Sequence, residues 1–313
     1  MQPEYYSSAL LDAVSGHLGR DKKNLNVKAL HQQSLVKDAT LKFVISDDLG
    51  NELAFVLMSN DDYPDAVRLA ASAAQRACTI VGEALAELIV VPVFAGSVGK
   101  NSFALFPCLI PLRSGRIARV LARQKLVKNV CDWLEQVAVK TTAVIPGDRR
   151  QEAVIAPLEW LAACTLLADD IRNDAKAAIR ALENKQWWPR WVFSHNDLWS
   201  GNVLIQPALR NSLAALGLGE PRIIDWLSSS EEGIPAFDLI NYATSSGLSL
   251  KKTADYLNQI QTKTGSDYTS GYFDMLCGFG RLGINRGEFP IERFVMLVQD
   301  MVNKYKQLRA WKE

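Results

Sequence analysis

The sequence lacks the features that mark several classes of protein. Lys and Arg total 35 against 34 Asp and Glu, so no basic excess favours binding to nucleic acid. Its uncharged apolar stretches are shorter than a bilayer span, which predicts no membrane-crossing helix. Residues 1–15 contain Glu4 and Asp12 and no basic segment followed by an apolar stretch, which predicts no secretory signal. We therefore expect a globular protein without nucleic-acid or membrane partners.

Cysteine is also sparse. The five cysteines are odd in number and far apart, and none forms a CxxC unit or a Cys/His pair with the spacing of metal ligands. They predict reduced core thiols and a cytoplasmic protein. They are Cys78, Cys108, Cys131, Cys164 and Cys277.

The first third of the chain predicts a small sheet with one helix. Turn residues at Asp47–Gly50 separate two β-rich runs, which indicates a hairpin. Ala and Leu recur at helical spacing from Asp61 to Glu87. Two further strands are predicted at Leu88–Phe94 and Ser102–Ile110, on either side of a glycine-containing turn.

The remainder of the chain predicts mainly helices around a small β element. Helical periodicity covers residues 117–139 and 152–184, and β-like runs occupy 191–205 and 222–226. Helices resume at Phe237, with a bend predicted where four glycines cluster, at positions 278, 280, 283 and 287. The predicted fold class is therefore α+β, with a mixed β/α lobe at 1–110 and a larger, mainly helical lobe at 111–313.

One polar segment lies between apolar flanks, from Phe193 to Ile205. Within it Asp197 and Asn202, five positions apart, can bring a carboxylate and an amide oxygen into one small space. A second carboxylate, Asp225, ends the apolar run that follows. Carboxylate and amide oxygens of this kind suit a metal–phosphate site.

Three ordered motifs in this region resemble the aminoglycoside phosphotransferase and choline kinase family, small-molecule kinases related to protein kinases. The motifs are HxDxxxxN from His195, an apolar-apolar-Asp-aromatic unit ending at Trp226, and GxPxxDL from Gly233. They cover mainly residues 191–242. The His-Asn-Asp-Leu and Asp-Leu-Ile-Asn strings resemble the choline and ethanolamine kinase branch in particular. The resemblance implies a bilobal protein-kinase-like fold, with a nucleotide-covering N-lobe at 1–110 and a catalytic, acceptor-binding C-lobe at 111–313.

The resemblance also implies ATP-dependent transfer of the γ-phosphate to a hydroxyl of a small molecule, such as a sugar, an aminoglycoside or an amino alcohol. By this resemblance Asp197 is the catalytic base and His195 braces its loop. Asn202 and Asp225 would hold Mg²⁺ against the phosphates. Asp238 would have a structural role, steadying the loop by hydrogen bonding.

The N-lobe departs from the family pattern. Alignment of the third strand puts Met58 where the family has a phosphate-contacting lysine, and the partner glutamate position falls near Ala74 or Gln75. Lys42, on the neighbouring strand, is a candidate substitute, although a solvated strand lysine is the more common case. Cys108, in the connector between the lobes, is a third candidate nucleotide-binding residue. No GxGxxG occurs at residues 26–37, and His31–Ser34 is only a candidate covering turn.

Two questions stay open in the sequence. Loss of the lysine keeps a pseudokinase possible, one that binds nucleotide or a partner as a regulatory module. Aromatic residues near the motifs could hold a cationic acceptor by cation–π attraction or simply pack in a core, and only the position of Trp199 inside the loop favours exposure. The tryptophans in question are Trp187, Trp188, Trp191, Trp199 and Trp226.

Overall fold

The computed structural model describes residues 4–30, 40–109, 118–207, 219–287 and 289–311. The chain divides into two compact units. One contains Met1–Ala122 and Val203–Leu227, and the other contains Arg123–Asn202 and Ser228–Glu313. The segment that carries Asp225 therefore belongs to the same unit as the N-terminal sheet.

The helices and strands of the described residues follow one another in this order: α1 (Glu4–Leu18), β1 (Leu25–Ala29), β2 (Thr40–Asp47), β3 (Glu52–Ser59), α2 (Ala66–Val81), α3 (Glu83–Ala86), β4 (Phe94–Val98), β5 (Asn101–Pro107), α4 (Ala118–Thr141), β6 (Ala143–Val144), α5 (Ala156–Ala163), α6 (Asp169–Glu183), β7 (Arg190–Ser194), β8 (Val203–Pro207), β9 (Gly219–Ile223), β10 (Ser230–Gly233), α7 (Phe237–Ser246), α8 (Leu250–Thr264), α9 (Tyr268–Ile284) and α10 (Ile291–Ala310).

The first unit is built on a five-stranded antiparallel sheet of order β1-β2-β3-β5-β4. The predicted hairpin between β2 and β3 is confirmed. Its turn is closed by Asp47, whose Oδ1 accepts hydrogen bonds from the N–H groups of Leu49 (3.0 Å) and Asn51 (2.8 Å). Gly50 takes the left-handed conformation that the turn requires, with φ of 78°.

The two faces of this sheet are covered by different helices. On one face, Val56 and Met58 of β3 are buried in a cluster with Leu10 and Val14 of α1. On the other face α2 is attached through Ser59, whose hydroxyl accepts a hydrogen bond from the Val67 N–H (2.9 Å). Because successive strand residues alternate between faces, β3 presents one set of side chains to α1 and the other to the α2 side.

One predicted strand is displaced. The structure forms β4 at Phe94–Val98 rather than at Leu88–Phe94. The apolar segment before it makes a short parallel contact with β9 instead, because Ile223 donates to the carbonyl oxygen of Leu88 (2.6 Å) and accepts from Val90 (3.0 Å). Its apolar residues are thus explained by burial against a distant segment, which the local pattern does not reveal.

The second unit is mainly helical, as predicted, but its helices are interrupted at other points. The predicted helix at 152–184 is divided into a π-helical turn at Gln151–Ile155, then α5 and α6. The predicted glycine bend is wrong at Gly278, Gly280 and Gly283, because α9 runs through to Ile284; of the four glycines only Gly287, with a φ of 53°, lies in the turn that follows the helix. A Cβ on Gly280 would overlap the backbone of Pro157, and one on Gly283 would overlap the ring of Trp160. These glycines therefore allow α5 and α9 to pack closely.

Polar caps define the helices around this core. Ser249 accepts from the Lys252 N–H at the start of α8 (3.4 Å), and Asp267 accepts from the Ser270 N–H at the start of α9 (2.7 Å). Gly247 and Gly265 end α7 and α8 in the left-handed conformation.

No disulfide joins the five cysteines, of which Cys131 and Cys277 are buried. No helix in the described parts of the chain is both long enough and apolar enough to cross a bilayer.

Candidate active site

The loop between β7 and β8 brings together three of the residues that the motifs predict, His195, Asp197 and Asn202. Its ends are fixed by strands, while its interior is irregular and includes a short 3₁₀ turn at Ser200–Asn202. His195 and Asn202 are buried, whereas Asp197 is exposed. The loop therefore exposes the Asp197 carboxylate to solvent, while the polar side chains of His195 and Asn202 on either side of it are buried.

Asp238 holds the start of this loop. Its Oδ2 accepts a hydrogen bond from the His195 N–H (2.6 Å), and its Oδ1 accepts one from the Asn196 N–H (3.0 Å). Burial raises the pKa of the Asp238 carboxyl, against the lowering effect of His195 and of the two backbone N–H donors. With an N–H at each oxygen, the carboxylate fixes two consecutive peptides of the loop.

Asn202 links the end of the loop to Asp197. Its Nδ2 donates to the backbone carbonyl oxygen of Asp197 at 2.8 Å and to the Asp197 Oδ2 at 3.3 Å. The backbone N–H of Asp197 donates in turn to His195 Nδ1 at 3.3 Å. The exposed carboxylate is thus positioned from both ends of the loop.

Two further contacts hold the loop, and neither was predicted from the motifs. Ser200 donates from its N–H to Ser245 Oγ (2.9 Å) and from its hydroxyl to the Ser245 carbonyl oxygen (3.1 Å). Asn196 takes a left-handed conformation with φ of 64°, and its side chain donates to the Ser228 carbonyl oxygen (2.9 Å). Asn tolerates this conformation better than most residues, which is a reason for its place between His195 and Asp197.

The GxPxxDL motif packs against the strand that leads into the loop, and it positions Asp238. A Cβ on Gly233 would overlap the side chain of Ser194, so glycine allows β10 to pair closely with β7. Ala236 takes a left-handed conformation just before α7, with φ of 65°. The turn leads directly into α7, where Asp238 is the second residue.

Asp225 lies in the first unit, two residues after β9. It is exposed and has a φ of 67°, an uncommon conformation for a residue other than glycine. The next side chain, Trp226, is buried and donates from Nε1 to the Ile223 carbonyl oxygen (3.0 Å). The buried indole therefore anchors the turn from which the Asp225 carboxylate projects into solvent.

Asn202 and Asp225 each carry a side-chain oxygen of the kind that magnesium takes. Because Asn202 Nδ2 makes both hydrogen bonds to Asp197, its Oδ1 is left as an oxygen donor, and no partner for it is recorded among the described residues. Mg²⁺ takes oxygen ligands and needs only one or two carboxylates when phosphates complete its shell. No cluster of three or more His, Cys, Asp or Glu side chains suited to a metal occurs within the described ranges.

The candidate nucleotide-binding residues of the first unit differ in their surroundings. Met58 is fully buried, on the α1 side of the sheet. Lys42 is partly exposed on β2, paired in register with Leu57 of β3. Cys108 is partly exposed just after β5. The candidate covering turn His31–Ser34 lies outside the described residues.

The tryptophans near the motifs separate into packed and exposed side chains. Trp187 and Trp226 are buried, and Trp187 donates from Nε1 to Asp274 Oδ1 (3.0 Å). Trp199 is 47% exposed, as its position in the loop predicts, and its ring lies against Gly201. An aromatic surface thus stands two residues from Asp197.

Several solved structures match nearly the whole length of the chain. A choline kinase from Streptococcus pneumoniae matches with a TM-score of 0.50 and 11% identity, over 98% of this chain and 99% of that one. A thermostable mutant of an aminoglycoside phosphotransferase, in ternary complex with ADP and hygromycin B, matches with a TM-score of 0.48 and 11% identity, over 97% of each chain. An ethanolamine kinase from Plasmodium vivax matches with a TM-score of 0.46 and 11% identity, over 97% of this chain and 86% of that one.

No protein-family model matches the chain, and no curated protein matches it. At this level of identity the match to the choline kinase concerns the fold. The N-terminal antiparallel sheet of order β1-β2-β3-β5-β4 and the helical second unit agree with that match. The chain therefore has the protein-kinase-like fold of small-molecule kinases, as its motifs predict.

Proposed function

We propose that this protein is an ATP-dependent kinase that phosphorylates a hydroxyl of a small molecule. The observation that carries the proposal is the loop from His195 to Asn202, in which Asn202 holds an exposed carboxylate and Asp238 holds the first two backbone N–H groups of the loop. Phosphoryl transfer needs mainly positioning and charge stabilisation, so a rigidly held base is the central requirement.

The proposed roles follow from the contacts. Asp197 accepts the proton of the acceptor hydroxyl, because its carboxylate is exposed while its backbone and Oδ2 are both bound within the loop. His195 is a positioning residue, since its buried Nδ1 accepts from the Asp197 backbone. Asp238 acts through the same loop and contacts no substrate in this scheme.

Asn202 and Asp225 are the proposed magnesium ligands. The ion, when bound, would neutralise charge on the phosphates and orient them. Asn202 would supply an amide oxygen, which its hydrogen bonds to Asp197 orient. Asp225 would supply an exposed carboxylate, next to the buried indole of Trp226. Residues 1–110 are the proposed nucleotide-covering part and residues 111–313 the catalytic and acceptor-binding part, with Met58 and Cys108 as nucleotide-site candidates.

The acceptor is proposed to be an amino alcohol, a sugar or an aminoglycoside. Choline is the first compound to test, because the choline kinase shares the fold and because the exposed ring of Trp199 offers a face for a cationic group. We further propose a cytoplasmic location, where ATP and Mg²⁺ are available.

The test is Mg²⁺-dependent ATP turnover with a panel containing all three acceptor classes. Asp197→Ala should lower kcat by about 10²–10⁴-fold, the usual contribution of a general base. Asp255→Ala, which removes an exposed carboxylate from α8 in the same unit, serves as the control and should leave kcat unchanged. Turnover that survives Asp197→Ala would contradict the assigned base.

A second candidate function is a pseudokinase that binds nucleotide or a partner as a regulatory module. Two features of the first unit favour it, because β3 contains no basic residue and α2 contains no acidic one. ATP with Mg²⁺ that raises the melting temperature without turnover of any acceptor would support this alternative. Absence of a shift would instead favour a protein that does not bind nucleotide.

A further inference from the structure

We propose that Lys42 of β2 supplies the cation that contacts the nucleotide phosphates, a role that in related kinases belongs to a lysine on the third strand. This inference rests on the proposed kinase function. It depends on which side chains share a face of the N-terminal sheet.

Met58 does not lie on the face of the sheet that α2 covers. The Met58 side chain is fully buried on the opposite face, in the cluster with Leu10 and Val14 of α1. The α2 face is identified by Ser59 and Ser102, whose hydroxyls lie 2.7 Å apart and accept from two backbone N–H groups in the first turn of α2. By alternation along β3, the side chain that shares this face next to Ser59 is Leu57.

Lys42 is the direct neighbour of Leu57 on that face. The two residues are partners in the β2–β3 register, as are Phe43 and Val56 on the opposite face. Directly opposite residues have Cβ atoms about 4.5–5.5 Å apart. The four-carbon stem of lysine is flexible enough to bring its ammonium over the position that a lysine at 57 would occupy.

The same face offers an apolar surface beside this cation. Val44, Phe55 and Leu57 are only partly buried, unlike their neighbours Phe43, Ala54 and Val56. A nucleotide combines a planar apolar base with a charged phosphate chain. A partly exposed apolar surface with a partly buried lysine at its side matches that combination.

The helix on this face offers no competing anion. α2 contains no Asp or Glu between Ala66 and Val81, and its buried residues are Val and Ala. The helix on this face therefore adds no negative charge that would repel a phosphate. Because β3 has no basic residue and α2 has no acidic one, no helix carboxylate is buried without its cation.

Lys28 of β1 is the matched comparison. It pairs with Val44, so it lies on the same face as Lys42, but on the edge strand and one strand further from α2. It is also exposed, whereas Lys42 is partly buried. A non-specific contribution of positive charge would depend on both lysines, whereas the proposed contact depends on Lys42 alone.

The experiment measures binding of Mg-ATP and of adenosine by calorimetry, together with ATP turnover. Lys42→Met should weaken Mg-ATP binding or lower kcat/KM for ATP by about 10- to 100-fold, as expected for loss of one charge-stabilising contact. Adenosine, which has no phosphate, should bind with unchanged affinity. Lys28→Met should change both quantities by less than about threefold.

A strand exchange provides the sharper test. In the double variant Lys42→Leu/Leu57→Lys the ammonium moves to the neighbouring strand on the same face, and ATP affinity should recover most of the loss seen in Lys42→Leu. If wild-type protein binds ATP and Lys42→Met is unchanged, or loses adenosine affinity equally, the assignment of Lys42 is wrong while the kinase proposal stands. If the wild-type protein does not bind ATP at all, both proposals fail.

Discussion

The side-chain amide of Asn202 donates to both the carbonyl oxygen and the carboxylate Oδ2 of Asp197, at 2.8 and 3.3 Å. The two residues therefore form a hydrogen-bonded pair in which the orientation of each side chain depends on the other. The amide nitrogen must face Asp197, so the amide oxygen must face away from it. A single contact thus orients both the proposed base and one proposed magnesium ligand.

Asn202→Asp should disturb the pair of Asn202 and Asp197 more than Asn202→Ala does. Aspartate removes the two N–H donors and also brings a like charge to the Asp197 carboxylate, which favours the protonated form of the base. We expect both variants to lose at least about 100-fold in kcat. Only Asn202→Asp should move the acidic limb of the pH–rate profile to higher pH. Equal profiles for the two variants would show that the charge near Asp197 is unimportant.

Gly201→Ala tests the contact between the loop and the exposed indole. The φ of Gly201 is not positive, so alanine is allowed by the backbone, yet its Cβ would overlap the ring of Trp199. The ring, being half exposed, has to move, and we expect a change in tryptophan fluorescence together with a fall of at least about tenfold in kcat/KM for the acceptor.

Trp199→Ala should relieve this overlap. The double variant Gly201→Ala/Trp199→Ala should therefore be no less active than Trp199→Ala alone, although Gly201→Ala is impaired in the presence of the indole. Additive losses in the double variant would mean that Gly201 is required for a reason other than the packing of Trp199.

Asp238→Asn should affect catalysis more than stability. The variant keeps one acceptor but places an NH₂ group against a backbone N–H of the loop, so one hydrogen bond to a charged acceptor is lost. We expect the free energy of unfolding to fall by about 1–3 kcal/mol, by urea denaturation, and kcat to fall by more than about tenfold. Asp174→Asn is the control, since Asp174 lies on α6, outside the motifs, where it accepts from the Tyr272 hydroxyl (2.7 Å) and pairs with Lys306 (3.1 Å). A kcat loss in the control equal to that in Asp238→Asn would assign the effect to general destabilisation.

The sequence motifs predicted which side chains gather in the loop because their spacing is short. His195, Asp197 and Asn202 lie within eight residues between two strands, so any compact turn brings them together. Ser245 was not predicted, because it reaches the loop only through the packing of α7. Nothing in the local sequence distinguishes it from its neighbour Ser246.

The sheet shows why the nucleotide side was harder to predict. Alignment by apolar pattern placed β3 correctly but could not decide which face each residue occupies, and a shift of one position moves every side chain to the other face. Met58 and Leu57 differ by that one position. The register with β5, and the burial of Met58 beneath α1, assign the face.

Asp274 should make the stability of the protein depend on pH. It is buried, and its Oδ1 accepts hydrogen bonds from Trp187 Nε1 (3.0 Å) and the Arg190 N–H (2.8 Å). Burial is the main cause that raises the pKa of this carboxyl from 3.8 to about 7, while the two donors lower it in part. The folded protein therefore keeps a proton at Asp274 that the unfolded chain releases near pH 4.

The sign follows from that difference. Below about pH 4 the carboxyl is protonated in both states, and its contribution to the free energy of unfolding is complete. As the pH rises to about 7, the carboxyl ionises in the unfolded state only. The free energy of unfolding then falls by up to about 4 kcal/mol. Asp274→Asn keeps the Oδ1 acceptor and cannot ionise. Urea denaturation from pH 4.5 to 8 should show the variant gaining stability relative to wild type as pH rises. A difference between the two proteins that is constant across this range would mean that Asp274 has the same pKa in both states, and that the two N–H donors fully offset the effect of its burial.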